Sequence, residues 1–311
     1  MKSQSSIKRK IRTVTSIRKV TNATAAIANI RLQALFAPLA SLRNYRDDLA
    51  ISANDISGHI DQVLLKSAVP FFRKGRTSKV LFMVFTSDKG LCGMYNSRLL
   101  QDVAEASRTQ IRLGRKLSFI SFGRHASEYL SKMNRNVIKS YPAVCLAGSQ
   151  SLARELLKEI SEMFVSKAVD EVHLFYNRFV SVGKQDAGHS LLLPLDFSEL
   201  SSKEKRVDTT VHNGDVHGRS AIRYKVPDFE LDPPFSGLLK SFLSHYLEIM
   251  IRMAILESAA GEQAARMSAM QESTSNADDL IKDLSMEYNK MRQAQITREL
   301  IEVVSSAEAL N

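Results

Sequence analysis

Apolar side chains recur every three or four residues in LKSFLSHYLEIMIRMAILESAAGEQAARMSAM, residues 239–270. Continued to Met291 in steps of three and four, the pattern samples 16 positions, and 14 of them are apolar when tyrosine is counted. A 3.5-residue repeat of this length is typical of a left-handed coiled coil. Because no proline follows Pro234, one helix about 110 Å long can form. The pattern therefore predicts a C-terminal coiled-coil helix over 235–311.

Beyond Met291 the apolar side chains of this helix change register. The new positions are Ile296, Leu300, Val303 and Ala307. We expect this tip of the helix to meet different surroundings from the stem.

The first 66 residues carry a second apolar seam of the same kind. From Ile7 to Val63, alternate steps of four and three sample 17 positions, of which 14 are apolar. The seam predicts an N-terminal coiled-coil helix over 1–66, which Pro38 bends without ending it. Two seams at opposite ends of one chain favour antiparallel pairing of the termini. A homodimeric coil or a helical bundle is the alternative.

The positive charge is concentrated at the amino terminus. Ten of the 43 lysines and arginines lie in residues 1–46, where no acidic residue precedes Asp47. The other 33 basic residues balance the 33 acidic ones, so this arm accounts for the net charge of +10. Such an arm is typical of nucleic-acid, anionic-lipid or acidic-protein binding, and of transit peptides. The seam continues far past any plausible cleavage site, which favours a structural helix.

Between the two seams, short apolar runs alternate with helical stretches over 78–197. The run KVLFMVFT at 79–86 is typical of a strand buried on both faces. Further strands are predicted at 117–122, 136–140, 172–180 and 190–195, helices at 98–111, 124–133 and 151–167, and a connection at 182–188. This alternation predicts a central Rossmann-like α/β domain with a largely parallel sheet. Residues 198–234 are polar and turn-rich, and we interpret them as a connection.

The predicted fold class is therefore α/β plus long helices. An antiparallel two-helix coiled coil of the N- and C-terminal helices carries the central domain. No uncharged apolar run reaches the roughly 18–20 residues of a membrane span, so the chain is expected to be soluble.

The sequence predicts no catalytic residue, no cofactor-binding site and no metal site. Gly90 and Gly93 have neither of the spacings G-x-x-x-x-G-K-[ST] and G-x-G-x-x-G that cradle phosphates. No motif ties a histidine or an acid to Cys92, so we interpret it as a small buried thiol and not as a nucleophile. His212 and His217, the most closely spaced histidines, have no cysteine partner for zinc.

Three stretches of the chain resemble the γ subunits of F-type ATP synthases. They are SDKGLCG at 87–93, EQAARMSAM at 262–270, and RQAQITREL at 292–300 leading to SSAEAL at 305–310. The last two lie in register on one predicted helix, which makes the resemblance specific, and it extends over essentially the whole chain. IKRKI at 7–11 and IRKVT at 17–21 are similar to the start of that family, so the basic arm is expected to belong to the mature protein.

The resemblance implies a non-catalytic rotor, the central shaft of the F1 sector. Such a subunit couples ion flow, commonly of hydrogen ions, through a membrane ring to ATP synthesis or hydrolysis at the β subunits. The implied partners are the α and β subunits of F1, the ε subunit and the membrane c-ring, with no nucleic acid, no cofactor and no direct membrane span. The implied location is peripheral, on the cytoplasmic face of a bacterial inner membrane, with the mitochondrial matrix side as the alternative.

The resemblance also implies which residues touch partner subunits. Arg266 matches the arginine of the family's motif. Five residues of the upper shaft match positions that contact β-subunit loops: Arg292, Gln293, Thr297, Glu299 and Glu302. A merely solvated helix face is the alternative interpretation.

The chain departs from the family pattern at two places. The family usually has Lys and Met around Asn22, Thr24, Ala25 and Ala26, and Gly at the position of Ser306. These departures indicate a divergent or specialised member with altered shaft contacts.

A second class of function stays open on the sequence alone. A stand-alone basic coiled-coil α/β protein could bind nucleic acid or a ligand, and its polynucleotide affinity would fall steeply with salt in the absence of any ATPase partner. An enzyme that uses Cys92 is a third hypothesis, and it would require turnover that thiol reagents abolish.

Overall fold

The computed structural model describes residues 4–57, 70–72, 77–143, 146–195 and 235–308. The α-helices of these ranges are α1 (Gln4–Ser57), α2 (Tyr95–Arg112), α3 (Arg124–Lys132), α4 (Ser149–Val165) and α5 (Phe235–Glu308). The strands are β1 (Lys79–Phe85), β2 (Lys116–Phe122), β3 (Val137–Tyr141), β4 (Glu171–Ser181) and β5 (Lys184–Leu193). Pro70–Phe72 form a short 3-10 turn. The predicted connection at 198–234, Cys145, His212 and His217 lie outside the described residues.

The two long helices α1 and α5 pack against each other in antiparallel orientation. The buried face of α1 is the predicted seam: Ile7, Thr21, Ala25, Ala28, Leu32, Leu35, Leu39, Leu42 and Leu49 are all buried. The α5 seam is buried in the same way at Ile249, Met253, Leu256, Ala260, Gln263, Met267, Met270 and Ala277. Pro38 lies inside α1, and the helix continues past it. The predicted intrachain antiparallel coil is confirmed.

Helix α1 contains a long, predominantly apolar stretch. Within the described residues it alone is long and apolar enough to match a membrane span, with an 18-residue window of mean hydropathy 1.3 between Gln4 and Leu49. A third of that window, 33%, is buried inside the fold. The buried part of this stretch packs on α5 in the core of the coiled coil.

The sheet has the order β3-β2-β1-β4-β5, and its first four strands are parallel. Strand β5 pairs antiparallel with β4 at one edge. Helices α2 and α3 cover one face around Phe82, Phe119 and Phe175. Helix α4 and the coiled coil cover the other face, around Leu81 and Met83 of β1. The continuous apolar run of β1 is therefore explained by burial on both faces, as predicted.

The predicted connection at 182–188 is wrong for most of its length. Strand β4 ends at Ser181 and β5 begins at Lys184, so only Val182 and Gly183 form the turn. Residues 184–188 instead pair with β4 as the start of an edge strand. An edge strand keeps one side in solvent, and this is why polar residues such as Gln185 and Asp186 fit there.

Candidate partner-contact site

The C-terminal end of α5 projects beyond the described part of α1. Arg18 Nη1 lies 2.8 Å from Asp278 Oδ1, and the hydroxyl oxygens of Thr21 and Thr274 are 2.7 Å apart. Counted outward from these contacts, Gln4 of α1 falls beside Met291 of α5. Residues 292–308 therefore extend past the described part of α1 by about 25 Å. We call this segment the tip.

Every described side chain of the tip, over residues 292–306, is exposed. Arg292, Gln293, Thr297, Glu299 and Glu302 all belong to it, so the structure brings five of the six predicted contact residues together. Their hydrogen bonds stay within the helix: Gln295 Nε2 donates to Glu299 Oε1 at 2.9 Å, and Thr297 Oγ1 donates to the Gln293 carbonyl at 3.0 Å. The polar groups of the tip are thus available to other molecules.

The tip also exposes a set of large apolar side chains. Their exposed fractions range from 47% to 66%, for Ile296, Leu300, Ile301, Val303 and Val304. A helix that is apolar on its surface but unburied in its own chain is typical of a protein-binding segment. The change of apolar register beyond Met291 coincides with the end of the coil. Contact of the five polar residues with a partner stays a prediction.

Arg266 lies elsewhere, 26 residues before the tip and roughly 39 Å from it along the helix. Its side chain is only 9% exposed, and Nη1 pairs with Glu262 Oε1 at 2.8 Å. Nη2 donates to the carbonyls of Lys89 and Gly90 at 3.1 and 3.4 Å. These contacts tie the SDKGLCG loop to α5 within the chain. The role of Arg266 in partner contact stays a prediction.

The same residues form a buried charged pair. Burial raises the pKa of Glu262, and the neighbouring Arg266 opposes that shift. Arg266 gives the buried carboxylate of Glu262 a charged partner, and the two loop carbonyls accept the remaining hydrogen bonds of the arginine.

The SDKGLCG loop is held in place by hydrogen bonds to other parts of the chain. The Asp88 carboxylate accepts hydrogen bonds from the backbone N–H groups of Arg124 at 2.9 Å and of Ala143 at 3.0 Å. Asn96 Nδ2 donates to Ser87 Oγ at 2.8 Å and to Cys92 Sγ at 3.4 Å. Cys92 is buried, as expected, and burial raises the pKa of its thiol. A thiol with a raised pKa is a poor nucleophile.

Tyr95 makes a second link between this loop region and α5, and the sequence analysis did not identify it. Its hydroxyl lies 2.7 Å from both the carbonyl and Oγ of Ser258. Asn177 Nδ2 on β4 donates to the Tyr95 carbonyl at 3.2 Å. Burial raises the pKa of Tyr95, so the phenol stays a neutral donor. Gly261 faces the Tyr95 ring, and a Cβ at Gly261 would lie 3.4 Å from the ring atom Cε2.

Among the described residues no group of three or more His, Cys, Asp and Glu side chains could hold a metal ion. The arrangement as a whole is suited to binding other macromolecules: a rigid two-helix stem, an exposed tip, and a domain fastened to the stem.

Comparison with known proteins gives one consistent family. A family model described as ATP synthase matches residues 3–310. The ATP synthase gamma chain of Cyanothece sp. is 32% identical over 316 residues, covering 98% of each chain. That of Chloroherpeton thalassium is 29% identical over 312 residues, covering 98% of this chain and 97% of its own.

Solved structures share the fold. A chain in the central stalk and c-ring of the Tetrahymena thermophila mitochondrial ATP synthase superposes with a TM-score of 0.58 at 22% identity, over 81% of this chain and 98% of that one. A chain of the Euglena gracilis mitochondrial ATP synthase, in an assembly of OSCP, F1 and c-ring, gives 0.54 at 18% identity, over 93% and 95%. Because the sequence match spans almost the entire chain and the relatives have matching lengths, this chain belongs to the family of ATP synthase gamma chains.

Proposed function

We propose that this chain is the central shaft of an F-type ATP synthase. It turns within the α and β subunits and couples ion flow through a membrane ring to ATP synthesis or hydrolysis at the β subunits, and it catalyses no reaction itself. The observation that carries the proposal is an intrachain antiparallel coil whose single-helix tip is exposed over residues 292–306, in a chain that matches gamma chains over almost its whole length.

The geometry suits a rotating part. Twisting a coiled coil disturbs side-chain packing along the whole seam, so α1 and α5 resist rotation relative to each other. The tip presents charged, amide and apolar side chains outward. Solvated polar contacts are worth only about 1 kcal/mol each, so a turning shaft can make and break them at every step.

We assign the contacts as follows. The tip residues Arg292, Gln293, Thr297, Glu299 and Glu302 touch β-subunit loops, and Arg266 contacts a partner subunit at its own position in the stem. The central domain faces the ε subunit and the c-ring. The domain division that goes with these roles is a helix over 1–66, an α/β domain over 78–197, a connection over 198–234 and a helix over 235–311.

The chain works as part of a peripheral membrane complex, and we place it on the cytoplasmic face of a bacterial inner membrane. The similar gamma chains of Cyanothece sp. and Chloroherpeton thalassium support a bacterial membrane. The alternative of a stand-alone nucleic-acid-binding protein has no support, since the basic arm forms half of the shaft in a family that assembles with other subunits.

The decisive experiment replaces Gln293, Thr297 and Glu299 together by Ala in the reconstituted complex. We expect ATP turnover coupled to rotation to fall by more than half. The unfolding free energy of the isolated chain should change by only about 0.5 kcal/mol, because the three side chains are exposed.

The chain offers a matched control on α2. Gln101, Glu105 and Thr109 are the same three residue types, all exposed, and Thr109 Oγ1 donates to the Glu105 carbonyl as Thr297 does to Gln293. Their triple replacement by Ala should reduce coupled turnover much less than the replacement at the tip does. Unchanged coupled ATP turnover in the tip variant, or an equal loss of turnover in both variants, would contradict the proposed contact of the tip with β subunits.

A further inference from the structure

One arginine links three elements where the coil meets the sheet. Arg43 of α1 donates from Nε and Nη2 to Oε1 of Glu257 on α5, at 3.1 and 2.9 Å. Its Nη2 also donates to the carbonyl of Phe179 near the end of β4, at 2.5 Å. A planar guanidinium with five donors can hold two acceptors in fixed directions, which an ammonium group does less well. Both shaft helices and the sheet therefore meet at one side chain.

Phe179 is a point of contact between α1 and the sheet. Besides the Arg43 hydrogen bond, its ring packs against Phe36 of α1, with ring centroids 5.7 Å apart. Helix α5, by contrast, packs along the face of the sheet through many buried residues, including Leu247, Ile251 and Ala254. Helix α1 thus contacts the sheet near Phe179, whereas α5 packs against the sheet over several helical turns.

Stability alone does not explain this pair. Glu257 has a side chain only 3% exposed, and its Oε2 has no hydrogen-bond partner among the described residues. Burial raises the pKa of Glu257, while Arg43, Arg178 and Arg46 oppose that shift. Replacing a buried ion pair by apolar residues of similar size is often neutral or stabilising. We therefore look for the role of the Arg43–Glu257 pair in the elements that it connects.

We propose that Arg43 is a positioning residue for coupling: it joins α1, α5 and β4 at one point, so that rotation of the central domain reaches both shaft helices together. This inference rests on the proposed function of the chain as a rotor. Without the joint, α1 keeps its seam with α5 but loses its hydrogen bond to the sheet. The domain can then turn slightly before α1 follows.

The test uses the complete membrane complex reconstituted with variant chains. In the double variant Arg43→Met with Glu257→Leu, apolar groups replace the buried pair, so we expect the thermal midpoint of the isolated chain to stay equal or rise. ATP-driven ion pumping per ATP hydrolysed should nevertheless fall by more than half. A purely structural role would instead lower the thermal midpoint and leave the pumping ratio of the assembled complexes unchanged, and that result would overturn the proposal.

A second variant keeps the test decisive if the double variant folds poorly. Arg43→Lys retains the charge beside Glu257 but not the planar fork, so the fold should survive while the pumping ratio falls. A wild-type ratio in Arg43→Lys would overturn the proposal.

The matched control is Asp278→Asn, which removes the exposed pair with Arg18 between the same two helices, far from the sheet. It should pump like the wild type, and a loss as large as that of Arg43→Lys would refute a special role for the joint. If the wild-type chain itself supports no coupled pumping in the complex, the proposed function fails, and not the joint alone.

Discussion

Gly123 lies at the point where β2 ends and α3 begins, and its backbone has φ 85° and ψ 151°. A Cβ at this position would be 2.3 Å from the Thr86 carbonyl oxygen and 2.9 Å from that of Ser87. Thr86 cannot move aside easily, because its N–H and its hydroxyl both donate to the Phe122 carbonyl, at 2.8 and 2.9 Å. The close approach of two backbones at this edge of the sheet therefore requires glycine.

We expect Gly123→Ala to lower the free energy of unfolding by about 2–4 kcal/mol, from backbone strain and the clash with Thr86. Urea unfolding followed by circular dichroism measures the change. Gly90→Ala is the control, because a Cβ there meets nothing within 4 Å and the φ of Gly90 is not positive. Its effect should stay within about 0.5 kcal/mol. Equal midpoints for the two variants would show that the clash is relieved by a small shift.

The sequence alone points to the wrong glycines. The spacing of Gly90 and Gly93 is visible in a motif, whereas the demand on Gly123 comes from the carbonyls of Thr86 and Ser87, which a different strand carries. The sequence likewise does not reveal the pair of Arg43 and Glu257, because that pair depends on the packing of α1, α5 and β4 against one another. Such requirements arise from packing between distant segments, and no local pattern records them.

The contact of Thr21 with Thr274 gives a test of the helix pairing at the scale of elements. Their hydroxyl oxygens are 2.7 Å apart, so two cysteine sulfurs in their place are close to the roughly 2.05 Å of a disulfide. In a chain whose Cys92 and Cys145 are replaced by Ala, Thr21→Cys with Thr274→Cys should form an intramolecular disulfide on mild oxidation. Mobility in non-reducing electrophoresis and the intact mass report it.

Thr13→Cys with Thr274→Cys serves as the control for that experiment. Thr13 is exposed and lies eight residues, or about 12 Å, from Thr21 along α1. This pair should stay reduced or form links between molecules. If the Thr21 and Thr274 variant also gives only links between molecules, the coil joins two chains and the antiparallel pairing within one chain is wrong.

The seams could be predicted at this scale because a 3.5-residue period depends only on local sequence. The burial of α5 near the sheet could not be predicted from the sequence. Between Met253 and Ala260 this helix is buried on nearly every side, including Glu257, since α1 covers one side and the sheet the other. The start of the edge strand β5, residues 184–188, was missed for a related reason: its polar sequence resembles a loop until its pairing with β4 is known.

At the scale of the whole molecule, the chain divides into a packed stem and an unsupported tip. In the isolated chain we expect amide hydrogens of residues 292–306 to exchange rapidly, because a helix of this length without tertiary packing is marginal in water. Amides of 249–270 should be strongly protected, since their side chains lie in the core. Hydrogen exchange followed by mass spectrometry measures both segments.

The same measurement on the assembled complex supplies the contrast. Partner subunits that cover the tip should slow its exchange to a rate near that of the stem. A tip already protected in the isolated chain would mean that it packs on its own molecule, contrary to the exposure of Ile296 and Leu300. The sequence anticipated this division through the change of register beyond Met291, but not how far the tip extends past α1.

The pairing of the two chain ends also bears on how the molecule is made. Thr21 and Thr274 are separated by 253 residues, and a ribosome adding about 5–20 residues per second needs about 10–50 s to cover that distance. Throughout that time the apolar stripe of the newborn α1 has no α5 to cover it. The central domain, in contrast, has all five strands once Leu193 has emerged. The order of synthesis thus favours folding of the central domain first. The apolar face of α1 then depends on chaperones or a temporary partner until α5 has left the ribosome.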